Sequence, residues 1–311
     1  MLLRTSHHYP SSAGKKAKRL GPLFVAAAAV CWGLSGGLGA LLLDAGWSGF
    51  LLAFARGAVG LLFALVWLVL RPDRHGLLCP RLWGWALLAG MGVAGNFSFY
   101  FISIGEGSVA IAATLMYCAP IYVYLVSFAL KLEQPSPAKW VAIGLVMLGI
   151  VLLTGIYDLG AGNATLLGIG TGLLAGLCYA IFIFAFKYAA PHGSPQAILA
   201  IAFAALCVLL AWPAEVSQLV TAGYSSDWPI LLLLGVLGAG VSFILYLQGL
   251  HYTAPAVASV VAMLEPVTAS LFGLAALDQS LADLQWLGMG LILIAVTALS
   301  LCSSRNRDSR D

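Results

Sequence analysis

Long apolar runs separated by short polar ones set the pattern of this chain. Runs free or nearly free of charge cover residues 23–43, 50–70, 82–104, 109–130 and 140–156, then 164–186, 195–211, 228–248, 254–276 and 284–301. At about 1.5 Å per residue each can cross a bilayer core about 30 Å thick, the seventh being the shortest. Gly and Pro within the runs do not argue against helix, because spans in lipid tolerate both. The first run is longer than the apolar core of a signal peptide and reads as a span. The pattern predicts an all-α polytopic membrane protein with ten transmembrane helices, spans 1 to 10.

The polar connections are sorted by charge. Arg4, Lys15, Lys16, Lys18 and Arg19 precede span 1, and Arg71, Arg74, Arg81, Lys131, Lys139 and Lys187 fall in the following even-numbered loops. Arg305, Arg307 and Arg310 follow span 10. The opposite loops carry Asp44, Glu106, Asp158, Glu215, Asp227, Asp278 and Asp283 and no Lys or Arg. Basic loops stay on the cytoplasmic side, so both termini are expected in the cytoplasm. A miscounted span would have put basic loops on both faces, so count and topology support each other.

The chain also repeats itself. At an offset of 146 residues Gly92 meets Gly238, Phe97 meets Phe243, Tyr100 meets Tyr246, Pro120 meets Pro266, Trp140 meets Trp286 and Gly144 meets Gly290. At an offset of 147, Cys31-Trp32 meets Cys178-Tyr179. Each half holds five spans, and an odd number requires the halves to lie in opposite orientation. The expected architecture is therefore two inverted five-helix repeats, residues 23–158 and 159–302, between a basic tail at 1–22 and a second tail at 303–311. In proteins built this way the substrate site lies near the midplane between the halves.

Composition agrees and excludes other classes. With 61% hydrophobic and 9% charged residues, the chain cannot cover a soluble core of this size. The net charge of +3 comes from singly scattered basic residues and gives no nucleic-acid surface. No G-x-x-x-x-G-K-[ST] loop is present, so an ATP-driven pump would need another subunit. His7, His8, His75, His192 and His251 fall in tails or loops with no metal-ligand spacing, and the six cysteines form no C-x-x-C. No cofactor, metal or nucleophile–base arrangement is expected, which speaks against an enzyme.

Two charges lie inside spans. Arg56 sits about 9 Å from the outer end of span 2 and Glu265 about 17 Å from the inner end of span 9. Each costs about 2.5–3.5 kcal/mol on insertion scales and so calls for a partner or a water-filled cavity. Their repeat mates, Ala202 and Ala119, are uncharged. Two readings are open: the pair forms a structural clasp across spans 2 and 9, or Glu265 carries a proton during transport.

Helical spacing puts Gly92, Asn96, Tyr100 and Ser103 on one face of span 3, with Gly238, Ser242, Tyr246 and Gly249 as their mates in span 8. Span 4 offers Tyr117 and Pro120, and span 9 answers with Ser259, Met263 and Pro266. Trp32 in span 1, Phe97 in span 3 and Tyr179 in span 6 complete a set that can surround a central cavity. Any one of these side chains is as readily explained by packing; the matching across both halves is what points to a cavity. Pro120 and Pro266 each remove a backbone hydrogen bond in mid-span and are candidate hinges. Gly33 and Gly37, and Gly168, Gly172 and Gly176, recur every four residues and allow close helix approach, which speaks for packing between spans and not for a dimer.

Taken together, the ten spans, the Arg of span 2, the mid-span Pro of span 4, the Glu-Pro pair of span 9 and the Trp-x-x-x-Gly of spans 5 and 10 resemble the EamA type of the drug/metabolite transporter superfamily, over about residues 21–301. The resemblance implies a plasma-membrane carrier, in a bacterium an inner-membrane one, that exports small metabolites, with neutral and aromatic amino acids as the nearest substrates. The partners it implies are a small-molecule substrate and the lipid bilayer, with no nucleic acid and a monomer compatible with all of it. Sugar-phosphate and nucleotide-sugar carriers share the fold, but their cargo calls for several cavity-facing bases, and this chain offers Arg56 with Lys187 at the edge of span 6.

Overall fold

The computed structural model describes residues 11–71, 75–132, 135–158, 165–214, 217–277 and 279–308. The basic tail before residue 11, the last three residues and the loop charges Arg74, Glu215 and Asp278 lie outside them. Among the described residues every regular element is helical: α1 (Ser11–Asp44), α2 (Gly49–Leu70), α3 (Pro80–Gly105), α4 (Val109–Met116), α5 (Ala119–Ala129), α6 (Pro137–Thr154), α7 (Leu166–Ala189), α8 (Pro195–Leu210), α9 (Ser217–Tyr224), α10 (Trp228–Gly235), α11 (Ser242–Tyr252), α12 (Pro255–Val261), α13 (Leu264–Ala276) and α14 (Asp283–Asp308). A chain in lipid must satisfy its backbone polar groups internally, and the helix does this within one segment.

Among the described residues nine stretches are long and apolar enough to cross a membrane. α4 and α5 together form one of them, as do α10 with α11 and α12 with α13. The seventh expected span is the apolar but shorter α8, and the preceding loop to span 8 contains α9, which the apolar pattern does not announce. Starts are fixed by local chemistry. Pro sits in the first turn of α3, α6, α8 and α12, where its missing N–H has no helical partner to lose. Ser108, Thr165 and Ser194 cap α4, α7 and α8 by accepting from the amides of Ile111, Gly168 and Ala197. α6 stops at Gly155, whose φ of 67° lies in the left-handed region.

The helical ladder is interrupted at three places along the spans. α4 gives way to α5 at Tyr117–Cys118, just before Pro120, and α12 gives way to α13 at Ala262–Met263, just before Pro266. Proline cannot bond to the carbonyl four residues back, so each break falls where the backbone ladder is already open. The third is a π-helical turn, Val236–Val241, between α10 and α11.

Helices pack in a recurring pattern. α1 lies against α10, α11 and α13, while α7 lies against α3, α4 and α5. α2 packs on α8, and α6 packs on α14. Glycine permits the closest of these approaches. A Cβ on Gly33 of α1 would stand 2.5 Å from the Glu265 carbonyl oxygen, and one on Gly176 of α7 would stand 2.9 Å from that of Met116. Large apolar side chains such as Val69, Leu87, Val141, Leu166 and Ile294 point outward, as a lipid-facing surface requires.

Candidate functional site

A cavity of about 660 Å³ opens between α1, α2, α3, α4 and α13. Its mouth lies where helices end near Asp44, Ile104, Val109, Thr154 and Gln279, the end that carries the acidic loops. Its floor is an aromatic layer in mid-span. Trp32 packs on Phe243 at 5.2 Å and on Tyr246 at 5.0 Å between ring centroids, and Phe182 packs on Tyr179 at 4.6 Å. Trp32, Tyr179, Phe182 and Phe243 present the upper surface of this layer to the cavity.

Below the floor the described residues pack together, with Val25, Tyr246, Leu250 and Thr253 all buried. The Lys187 Nζ, in the last turn of α7, donates to the carbonyls of Leu250, His251 at 3.1 Å and Thr253 at 2.9 Å. Those carbonyls are the open end of α11, where a cation is favoured by both the unsatisfied acceptors and the helix dipole. Nearby, a Cβ on Gly249 would fall 2.8 Å from the Gly21 carbonyl oxygen, so α1 and α11 meet there backbone to backbone.

Arg56 reaches the cavity from α2. Its Nη2 donates to the Gly238 carbonyl at 3.3 Å, its guanidinium lies 4.6 Å from the centroid of the Phe97 ring, and its Nε has no acceptor in the protein. Ser35 Oγ donates to the Leu234 carbonyl at 3.3 Å. Leu234 and Gly238 flank and form the π-helical turn, whose wider winding loosens the carbonyls from the helical ladder and offers them to side chains. Glycine at 238 leaves room for both side chains: a Cβ there would lie 2.3 Å from Ser35 Oγ and 2.5 Å from Arg56 Nε, and both would have to move.

Glu265 borders the same cavity from the first turn of α13. The hydroxyls of Tyr117 and Tyr179 face its carboxylate, that of Tyr179 without a hydrogen bond of full geometry. Arg56 and Glu265 act on each other through their charges, but no hydrogen bond joins them. The arrangement is a cavity with Arg56 and Glu265 on different walls and Asp44 at the mouth, and the Arg56–Glu265 pair is not a closed clasp.

Of the residues expected from the sequence, Trp32, Asn96, Phe97, Tyr100, Tyr117, Tyr179, Arg56, Glu265 and Pro266 border the cavity. Asn96 is also tied to α7 by donation from Nδ2 to the Ala175 carbonyl at 2.9 Å. Ser242, Tyr246, Ser259 and Met263 do not border it: all four are fully buried. Ser259 Oγ bonds back to the Ala256 carbonyl at 2.9 Å, and Tyr246 lies under Trp32. Depth separates the halves: α3 runs toward the mouth, so Tyr100 meets the cavity, whereas α11 runs toward the Lys187 end, so Tyr246 lies beneath the aromatic floor. Pro120 lies off the cavity behind Tyr117. Spacing alone does not point to Ser35, Phe182 or Phe243 as lining residues.

The sequence profile of the EamA-like transporter family matches residues 19–155 and again residues 166–301. The chain belongs to the EamA-like transporter family. Relatives of this EamA-like protein carry transporter names. The uncharacterized transporter YwfM of Bacillus subtilis (strain 168) is 26% identical over 292 residues, covering 92% of this chain and 95% of that one. An uncharacterized transporter of Archaeoglobus fulgidus is 30% identical over 230 residues, covering 73% and 76%. A solved crystal structure matches the fold with a TM-score of 0.75 at 18% identity, over 92% of this chain and 98% of that one. The EamA-like chain is thus an integral membrane transporter of a small-molecule substrate.

Proposed function

We propose that this transporter is a ten-span secondary carrier that exports neutral or aromatic amino acids by alternating access between two inverted five-helix repeats. One observation carries the reading: a cavity of about 660 Å³, open at the acidic-loop end where Asp44 lies and sealed at the other, has aromatic walls and, deep inside, Arg56 and Glu265 as a charge of each sign. That volume is in the range of sites for small organic ligands. α8 serves as the seventh span, and the family profile that matches twice, together with the mirrored packing of α1 and α7, supports the repeat. The charge sorting of the loops supports cytoplasmic termini in a plasma membrane, so the cavity opens outward. Arg56 is the one Lys or Arg among the described cavity residues, which disfavours cargo with two or more negative charges.

The test is efflux from proteoliposomes loaded with a panel of radiolabelled amino acids, with a nucleotide sugar and a quaternary amine as controls. Efflux of phenylalanine, leucine or threonine above empty liposomes is the expected result. Transport of the nucleotide sugar alone, or of nothing in the panel, would overturn the reading.

The breaks before Pro120 and Pro266 serve as hinges in this reading. Restoring the backbone bond with Pro120→Ala or Pro266→Ala is expected to slow exchange about tenfold, or ~1.4 kcal/mol on the barrier, while equilibrium binding stays within about twofold. Binding lost with turnover per bound substrate unchanged would remove the hinges from the mechanism.

A further inference from the structure

We infer that Arg56 and Glu265 are the two poles of a zwitterion site, Arg56 receiving the carboxylate of the substrate and Glu265 its ammonium group. The inference rests on the reading of the cavity as the substrate site and adds which wall holds which end of the molecule.

The two groups face one cavity from different helices and leave each other without a hydrogen bond. Two buried charges held apart are a costly arrangement unless something that fits between them carries both complementary charges. A monoanion or monocation leaves one pole uncompensated, whereas a zwitterion satisfies both.

Arg56 is held ready. One of its five N–H donors is spent on Gly238, the plane rests on Phe97, and Nε finds no protein acceptor. Restraint of this kind suits an anion that takes a fork of parallel hydrogen bonds, and a carboxylate is the small anion of matching planar shape.

Glu265 has the surroundings of an ammonium site. The phenols of Tyr117 and Tyr179 flank it, supplying hydroxyl oxygens that accept and ring faces that attract a cation. The break at Ala262–Met263 brings this carboxylate into the cavity at the start of α13, and Gly33 lets α1 close behind it. Trp32, Phe182 and Phe243 then form the apolar floor on which a side chain can rest.

The experiment measures three ligands of nearly one shape: phenylalanine, phenethylamine, which lacks the carboxylate, and 3-phenylpropionate, which lacks the ammonium. Exchange in proteoliposomes and ligand-induced thermal stabilisation in detergent are both read, so a variant that binds but does not cycle still reports. Wild-type protein is expected to prefer phenylalanine over either analogue by about a hundredfold, as a site with buried polar groups rejects a ligand that leaves them unpaired. R56Q is expected to bring phenylalanine and phenethylamine within about threefold while 3-phenylpropionate stays rejected; E265Q is expected to do the reverse. R56K keeps the charge and should retain the wild-type order. If each variant weakens all three ligands by the same factor, the poles are assigned wrongly. Equal loss in E265Q together with a flattened pH profile would make Glu265 a proton carrier and would also overturn the assignment. Wild-type protein that moves or binds none of the three overturns the amino-acid reading itself.

Discussion

Lys187→Met is expected to unseal the closed end. In the resting molecule the ammonium group holds three carbonyls at the end of α11. Hydrogen bonds from a charged donor contribute about 1.5–3 kcal/mol each, and three that share one donor add less than their sum. A net loss of about 3 kcal/mol would shift the equilibrium between the two access states roughly a hundredfold. Methionine keeps the length and apolar stem, so the effect isolates the charge. A cysteine placed at Val25, fully buried beside Gly249 in the native protein, reads the change. Its rate of alkylation by a water-soluble maleimide should rise from near zero to a readily measured value in the Lys187→Met background. An unchanged rate would mean that apolar packing alone keeps this end shut.

Gly33→Ala is expected to be strongly damaging, because the added methyl strikes the helix that carries Glu265. The added carbon would lie 2.5 Å from the Glu265 carbonyl oxygen, 2.5 Å from Thr268 Cβ and 3.0 Å from the Ala269 amide nitrogen. Two of these are backbone atoms of α13 and cannot rotate away, so α1 and α13 must separate. Overpacking of this kind costs about 1–3 kcal/mol. The midpoint of thermal denaturation in detergent should fall by about 5 °C or more, and transport should fall further because the displaced helix carries Glu265. Gly144→Ala and Gly290→Ala provide the contrast. Nothing lies within 4 Å of a Cβ at either position, and alanine favours the helix by up to ~1 kcal/mol. Equal losses in all three variants would show that the contact at Gly33 is not what matters.

Gly144 and Gly290 also mark how far the sequence could be read. The Trp-x-x-x-Gly pattern of spans 5 and 10 is a good marker of the family, yet its glycines do not make the contact between those spans. That contact runs through Gly149 and Gly288, where a Cβ on Gly288 would lie 2.6 Å from the Gly149 carbonyl oxygen. A single sequence reveals that a residue is small, and it does not reveal what stands opposite. The helices themselves were legible because lipid imposes one rule on every span, an unbroken apolar run of sufficient length. α9 escaped that rule because it is short and carries polar residues among its apolar ones.

The site divides along the same line. In the first half, Asn96, Phe97 and Tyr100 follow one regular helix, so spacing predicts their common direction and they meet the cavity together. In the second half, the spacing that groups Ser242 with Tyr246 is sound within α11, but that helix runs away from the mouth and carries Tyr246 beneath the floor. Spacing tells which residues share a face and not at what depth a cavity ends. Lys187 was legible as a topology marker, whereas its acceptors lie 63 to 66 residues away in sequence and became visible only with the fold.

The sealed floor has a consequence for physiology. At the repeat offset that matches Trp32 with Tyr179, Lys187 corresponds to Ala40, which lines the open mouth and has no cation to offer. In this structure the two ends are therefore fastened unequally, with the cavity turned toward the acidic-loop side. Under the alternating access proposed above, solute on the basic-loop side would bind only to molecules that have let go of the Lys187 fastening, so its apparent affinity would be reduced by the fraction of such molecules. In the export reading proposed above, a carrier tilted in this way would work as an overflow: idle at ordinary internal concentrations and discharging only when the pool behind it has risen far above them.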